Sequence, residues 1–369
     1  MPSNADWLAG LELFGVRLGL ERMDALLERL GRPERTLRAI HVVGTNGKTS
    51  VVRGAEALLL ADGLPVGAYT SPDVTGWAER IRVDGEEADV ERALARVRPA
   101  AEEVGATQFE VLTAAALAEF ASARVEVAAV EAGLGGRLDA TNVLAAPVVC
   151  LTNVALEHTE HLGETRAAIA GEKLAVVSPG ATVVLGEAEW EGEARARGAA
   201  LVVTAEGNEA LARASVEALL GREVAPGAPG APVAVPGRLE RVAEAPLELW
   251  DGAHNPAGVA YLAERLPERR DWTLVLSILG DKDVDAMLAA FSALGPRLVA
   301  TSSGHARALP AGALARRAAC FFPRVEVEPD PLRARERARE AAGPDGAVLV
   351  SGSLTLVAAL GAVRPATVR

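Results

Sequence analysis

From about residue 38 onward, short apolar runs alternate with helical patterns, and this alternation constrains the fold more than any other feature. "LRAIHVVG" reads as a buried strand and "TSVVRGAEALLLADG" as the helix after it, closed by Gly63. A strand at "VGAYTS", a helix at "FEVLTAAALAEFAS", and strands at "VEVAAVEAG" and "PVVCLTNV" follow. Strands alternating with helices predict a mainly parallel sheet covered on both faces. The stretch "GREVAPGAPGAPVAVPG", residues 221–237, has no period and reads as a linker. Beyond it the alternation restarts at "LELWDG" and runs to "AVLVSG". The expected organisation is therefore an α/β protein of two domains, 1–236 and 237–369. The second is the smaller and Rossmann-like.

A chain of 369 residues fits two domains better than one. Half of it is hydrophobic but only 4% aromatic, so the cores must be built from Ala, Leu and Val. A formal charge of −12 and a pI near 5.1 argue against a nucleic-acid partner, which needs a basic face. Small anions are not excluded, because backbone N–H groups can hold phosphate in an acidic protein. Cys150 and Cys320 lie in separate apolar runs and read as two buried thiols of a reducing compartment. The N-terminus lacks a signal-peptide pattern, and no apolar run reaches membrane-spanning length. The expectation is a cytoplasmic protein with no membrane partner.

"HVVGTNGKTS", residues 41–50, ends like a phosphate-binding loop, but Gly44 and Gly47 are separated only by Thr45 and Asn46. The common loop has four residues between its glycines. In an open parallel sheet, ligands bind outside the carboxyl ends of the strands. Lys48, Thr49 and Ser50 follow the first strand and Ser71 follows the second. Glu131 ends "VEVAAVE", and Glu157-His158 lie past "VVCLTNV". Four strands thus deliver polar groups to one edge. Loop N–H groups and a helix N-terminus suit phosphate, with Lys48 offsetting charge. A hydroxyl, a carboxylate and an imidazole suit a divalent cation, with Mg²⁺ and nucleotide phosphate the natural pair. The first domain is accordingly expected to be of P-loop ATPase type.

At this point the chain resembles the folylpolyglutamate synthase/dihydrofolate synthase group of the Mur ligase superfamily over nearly its whole length. The matching segments include "LGLERM", "HVVGTNGKTS", "YTSPDVTGWAERIRVDG", "VEAGLGGRLDATNV", "LTNVALEHTEHLGETRAAIAGEK", "GRLERV", "WDGAHNP", "LGDKD" and "SGSLTLV". The superfamily uses short GTNGK-type loops, which explains the unusual glycine spacing. The resemblance implies that Gly44, Thr45, Asn46, Gly47, Lys48, Thr49 and Ser50 contact ATP, together with Asn208, Arg238 and Asp251. It implies Ser71, Glu131 and His158 as Mg²⁺ ligands. Lys173 matches the lysine that this superfamily carbamylates, which would add a ligand and a catalytic group beside Lys48 and His158. Thr107, Gln108, Phe109, Glu110 and Leu138 would line the pterin site, and His254 would contact substrate. Departures occur at Thr49, at "SPDV" and at Glu157, and the segment near 185–235 is short.

The implied reaction is ATP-dependent addition of L-glutamate to dihydropteroate or a folate through an acyl phosphate, by a protein expected to be monomeric. The alternatives are a cell-wall precursor ligase acting on UDP-muramoyl substrates, or a P-loop regulatory ATPase. Against the former, about 38 residues precede the first strand, too few for a separate UDP-binding domain. Two residues keep a second reading. Lys173 could snorkel to water beside its apolar neighbours instead of standing desolvated. Asp251 could cap the helix that "AHNPAGVAYL" opens.

Overall fold

The computed structural model describes residues 3–11, 19–225, 235–268 and 271–361. The chain divides into two compact units, Met1–Val233 and Ala234–Arg369. Residues 226–234 of the expected linker, and Leu18 of "LGLERM", lie outside the described residues.

The first unit is built on eight strands: β1 Arg38–Val43, β2 Val66–Tyr69, β3 Ile81–Val83, β4 Glu86–Glu87, β5 Val127–Glu131, β6 Val148–Leu151, β7 Thr182–Leu185 and β8 Leu201–Thr204. Their order is β4-β3-β2-β5-β1-β6-β7-β8. Every pairing is parallel except β2–β3 and β3–β4. The four strands expected to share an edge are thus neighbours, in the order β2, β5, β1, β6. The central strands are continuous apolar runs because helices cover both of their faces. On one face, Ile40 and Val42 pack with Val51 and Val52 of the helix Lys48–Ala61 and with Leu211 and Val216 of Asn208–Leu220. On the other, Ala39 joins Leu112 and Phe120 of Gln108–Ala123, while Val43 joins Ile169 and Leu174.

The antiparallel edge was not anticipated. Its signal is "VDGEE", where Asp84 and Gly85 take φ of 50° and 84°. An Asp-Gly pair with both φ positive suits the primed turns that join antiparallel strands. Two helices, Asn4–Ala9 and Glu21–Arg29, also precede β1.

The second unit holds β9 Glu240–Glu244, β10 Leu247–Trp250, β11 Trp272–Leu276, β12 Arg297–Ala300, β13 Arg324–Val327 and β14 Ala347–Ser351. Their order is β13-β12-β11-β14-β10-β9, with only β9 antiparallel. Its core centres on Trp272, Leu274, Leu276, Met287 and Phe291, all fully buried. Glu248 on β10 is also fully buried, and the Arg335 and Arg339 guanidiniums with the Trp250 indole satisfy it. Cys150 is buried in the first unit, but Cys320 is exposed, contrary to expectation. It sits two residues past the helix Ala311–Ala318, in the turn before β13. No helix among the described residues is long and apolar enough to cross a membrane.

Candidate nucleotide and ligase site

The chain reverses its direction of winding beside β1, with β5 on one side and β6 on the other. That places the loop 44–47 at a switch point, the usual ligand crevice of such sheets. Gly47 takes a left-handed φ of 85° and opens the helix Lys48–Ala61 without a side-chain cap. The first N–H groups of that helix are therefore left for an anion. A Cβ on Gly44 would stand 1.9 Å from the Thr152 hydroxyl, and one on Gly47 would stand 2.5 Å from Asn208 Oδ1. Both glycines are required by close approach, and the second brings Asn208, the first residue of its own helix, against the loop.

A feature missed from sequence is the staple that shapes this loop. Asn153 Oδ1 accepts from Asn46 N (3.0 Å), its Nδ2 donates to Asn46 O (3.1 Å), and its backbone carbonyl accepts from Thr45 N (2.9 Å). The Thr152 hydroxyl donates to Asn46 O (2.6 Å), and Thr45 Oγ1 accepts from Ala155 N (3.1 Å). The signal was present in "LTNV", where two polar residues follow a fully apolar strand.

Lys48 Nζ donates to the carbonyls of Gly44 and Thr45, each at 3.2 Å. Lys173 ends the helix Arg166–Lys173, is only 4% exposed, and donates to the same Gly44 carbonyl at 2.8 Å. It does not snorkel. Burial, aided by Lys48, lowers the Lys173 pKa to about 7, against the opposing pull of Glu157, Asp139 and Glu172. Glu131 is buried at the end of β5 rather than solvated there. Its Oε1 accepts from Thr49 Oγ1 (3.2 Å) and its Oε2 from Ser71 N (3.2 Å). Ser50 is half-buried in the first helical turn.

His158 lies past the end of β6. It takes a left-handed φ of 50° at the start of the short helix Thr159–Leu162, with Glu157 and Glu160 at 3.9 and 3.8 Å from its ring nitrogens. Among the described residues, no three His, Cys, Asp or Glu groups gather as a metal site. Glu131 with the Thr49 hydroxyl and Ser71 beside it still fits Mg²⁺, which takes few protein ligands when phosphate and water complete its shell.

The expected pterin segment has structural duties. Thr107 and Glu110 form a capping box at the start of Gln108–Ala123. Glu110 also pairs with Arg22 (3.1 Å), and buried Gln108 donates to Leu8 O (3.0 Å). Phe109 packs under Gly133, where a Cβ would approach it to 2.5 Å. Leu138 is exposed.

In the second unit, Asp251 follows β10, and burial raises its pKa against the pull of Arg238. Its oxygens accept from Leu239 N and Ala253 N, both at 2.8 Å. It is not the helix cap. Asn255 is, accepting from Gly258 N at 2.7 Å. His254 Nδ1 lies 2.9 Å from Gly252 O.

Comparison with known proteins supports the fold described above. Residues 237–354 match the family model described as Mur ligase, glutamate ligase domain. The dihydrofolate synthase/folylpolyglutamate synthase of Mycobacterium tuberculosis is 35% identical over 87% of this chain and 81% of its own. A solved M. tuberculosis folylpolyglutamate synthase complexed with ADP superposes with a TM-score of 0.90 at 32% identity, over 98% of each chain. A solved bifunctional folylpolyglutamate synthase/dihydrofolate synthase with Mn, AMPPNP and L-glutamate bound gives 0.88 at 31% identity, over 98% of this chain and 97% of that one. Paired sheets, a short phosphate loop and whole-length similarity lead to one assignment: the chain belongs to the dihydrofolate synthase/folylpolyglutamate synthase family of Mur-type ligases.

Proposed function

We propose that this ATP-dependent glutamate ligase acts on both dihydropteroate and reduced folates, with the first unit's switch-point crevice as the site of carboxylate activation. The carrying observation is the convergence of Lys48 and buried Lys173 on the Gly44 carbonyl, at the uncapped start of a helix. In this reading Gly44–Ser50 and Asn208 hold the ATP phosphates. The resemblance assigns Arg238 and Asp251 to the nucleotide and His254 to the substrate. The γ-phosphoryl group passes to the substrate carboxylate. The amine of L-glutamate then attacks the acyl phosphate carbon, and phosphate leaves as the amide forms.

Lys48 offsets charge on the transferring group, the main task of a protein in phosphoryl transfer. Glu131 and Ser71, with Thr49 beside them, would hold Mg²⁺, and His158 is assigned to the same ion. The ion would supply charge neutralisation at the phosphates. A neutral Lys173 amine is the form that takes up CO₂, and the resulting carbamate would turn a cation into an anionic ligand. Leu138 and the segment Thr107–Glu110 border the pterin. The enzyme works as a cytoplasmic monomer on small molecules. Product masses after incubation with ATP, L-glutamate and either dihydropteroate or tetrahydrofolate test the reading. Glutamate addition to both supports it, and addition to one alone removes the bifunctional claim.

A further inference from the structure

A buried polar chain runs through the first unit on the face that carries Lys173. His41 lies on β1, opposite Val130 of β5 and Val149 of β6, and is fully buried. Strand side chains alternate, so His41 shares its face with Ala39 and Val43. Those two belong to separate apolar clusters, and His41 is the polar residue between them. Its Nε2 is 2.7 Å from Thr141 Oγ1, and Thr141 Oγ1 is 2.5 Å from Asp139 Oδ1. Asp139 also accepts from Thr141 N (3.0 Å) and, through Oδ2, from Leu134 N (2.7 Å).

The direction of the protons follows from what is left unpaired. His41 Nδ1 is buried and has no hydrogen-bond partner. A threonine hydroxyl has one proton to donate. If it goes to the Asp139 carboxylate, His41 donates from Nε2 and Nδ1 is a bare lone pair. If the chain ran the other way, Nδ1 would carry an orphaned buried N–H, which is the rarer and costlier arrangement. His41 is therefore a neutral donor, in keeping with burial pushing its pKa down to about 4.

The far end of the chain touches the Lys173 segment through backbone. Asp139 ties down Leu134 and thereby the loop 133–139. In that loop, a Cβ on Gly136 would come within 2.5 Å of Lys173 O and 2.8 Å of Glu172 O. Arg137 N donates to Glu172 O (3.1 Å), and Arg137 Nε to Glu172 Oε2 (2.9 Å). The loop is thus clamped to the last turn of the Lys173 helix, while β1 leads directly into Gly44, the partner of Lys173 Nζ.

We propose that His41 and Thr141 are positioning residues, which fix the loop 133–139 against the Lys173 helix and so set the Lys173 amine against the phosphate loop. His41 reaches no reacting atom. Its role is to pin the loop that follows β5 to the strand that carries the nucleotide loop, so that one rigid unit holds both partners of the Lys173–Gly44 contact. The proposal rests on the reading of Lys173 as a site residue, and its test separates the two.

The chain contains three lysines, Lys48, Lys173 and Lys282, so [ε-¹³C]lysine gives a three-line carbon spectrum. The Lys173→Met variant identifies the Lys173 line. Thr141→Val is nearly isosteric and removes the relay hydroxyl, Thr141→Ser restores it, and His41→Gln keeps an N–H donor near Nε2. The proposal expects Thr141→Val to shift the Lys173 line, leave the Lys48 and Lys282 lines in place, and lower kcat about tenfold or more, the usual cost of losing an orienting partner. The KM for ATP should stay within about threefold, because the loop that binds phosphate is untouched. Thr141→Ser and His41→Gln should recover most of the turnover. A folded Thr141→Val protein with an unmoved Lys173 line and normal kcat overturns the proposal. So does a uniform shift of all three lines with loss of melting temperature, which marks plain destabilisation. Normal turnover by Lys173→Met would instead remove the site role of Lys173, whatever the spectrum of Thr141→Val.

Discussion

Lys173 Nζ donates to the Gly44 carbonyl at 2.8 Å across 129 residues of chain, from a position almost closed to water. A lysine so placed has exchanged its hydration for one carbonyl and lies near a second cation, Lys48. Both effects favour the neutral amine. Lys173→Ala should therefore lose nearly all ligation while keeping its fold. A small carboxylic acid in the buffer should restore part of the rate by standing where the carbamate would. Turnover assays with and without acetate check this, and full activity of the unsupplemented variant returns Lys173 to a packing role.

The same burial gives a pH signature of stability. The folded-state pKa is near 7 and the ordinary value is 10.5, so between them the unfolded chain binds a proton that the folded chain does not. Stability rises with pH wherever the unfolded state binds more protons. In CO₂-free buffer, the wild type should thus gain stability from pH 7 to pH 10 relative to Lys173→Met. Urea unfolding of both proteins at several pH values measures it, and parallel curves would show that the lysine ionises alike in both states.

Gly47→Ala should impair ATP use more than stability. The new methyl would meet Asn208 Oδ1 at 2.5 Å, and the φ of 85° disfavours any side chain. The left-handed backbone costs roughly 1–2 kcal/mol. The displaced Asn208 should raise the KM for ATP by about tenfold or more. Adding Asn208→Ala should recover little, because the missing contact is then lost outright. Steady-state kinetics of the single and double variants decide this.

Glu131→Gln should raise the magnesium needed for half-maximal rate by about tenfold or more. The carboxylate accepts from Thr49 and Ser71 and fits a cation beside them. An amide keeps the shape but withdraws the charge. A magnesium titration at saturating ATP reads the effect, and an unchanged requirement would move the ion elsewhere.

Asp251 and Asn255 should separate cleanly. Asn255→Ala removes a helix cap, for a loss of about 1 kcal/mol and no selective effect on ATP. Asp251→Ala strands the part-buried N–H groups of Leu239 and Ala253 and removes the charge facing Arg238. It should lower both stability and ATP use. Melting temperatures with ATP titrations test the pair, and equal behaviour of the two variants would reduce Asp251 to a local brace.

Sequence alone determined the alternation of the central strands with helices, the mainly parallel character of each sheet, the short glycine loop after β1 and the edge to which Ser71, Glu131 and Lys48 are delivered. It did not determine the antiparallel edge or the two helices before β1. What it did determine follows from patterns local in the chain: apolar runs of strand length, helical periods, and glycines where backbone must come close. Tertiary structure alone decided that Lys173 is desolvated, that Asn153 staples the loop, that His41 reaches Thr141, and that Asn255 rather than Asp251 caps its helix. It also decided that Cys320 faces water. Each of these depends on which distant residue fills the space around a group, and burial and hydrogen-bond partners are set by neighbours in space, which no local period records.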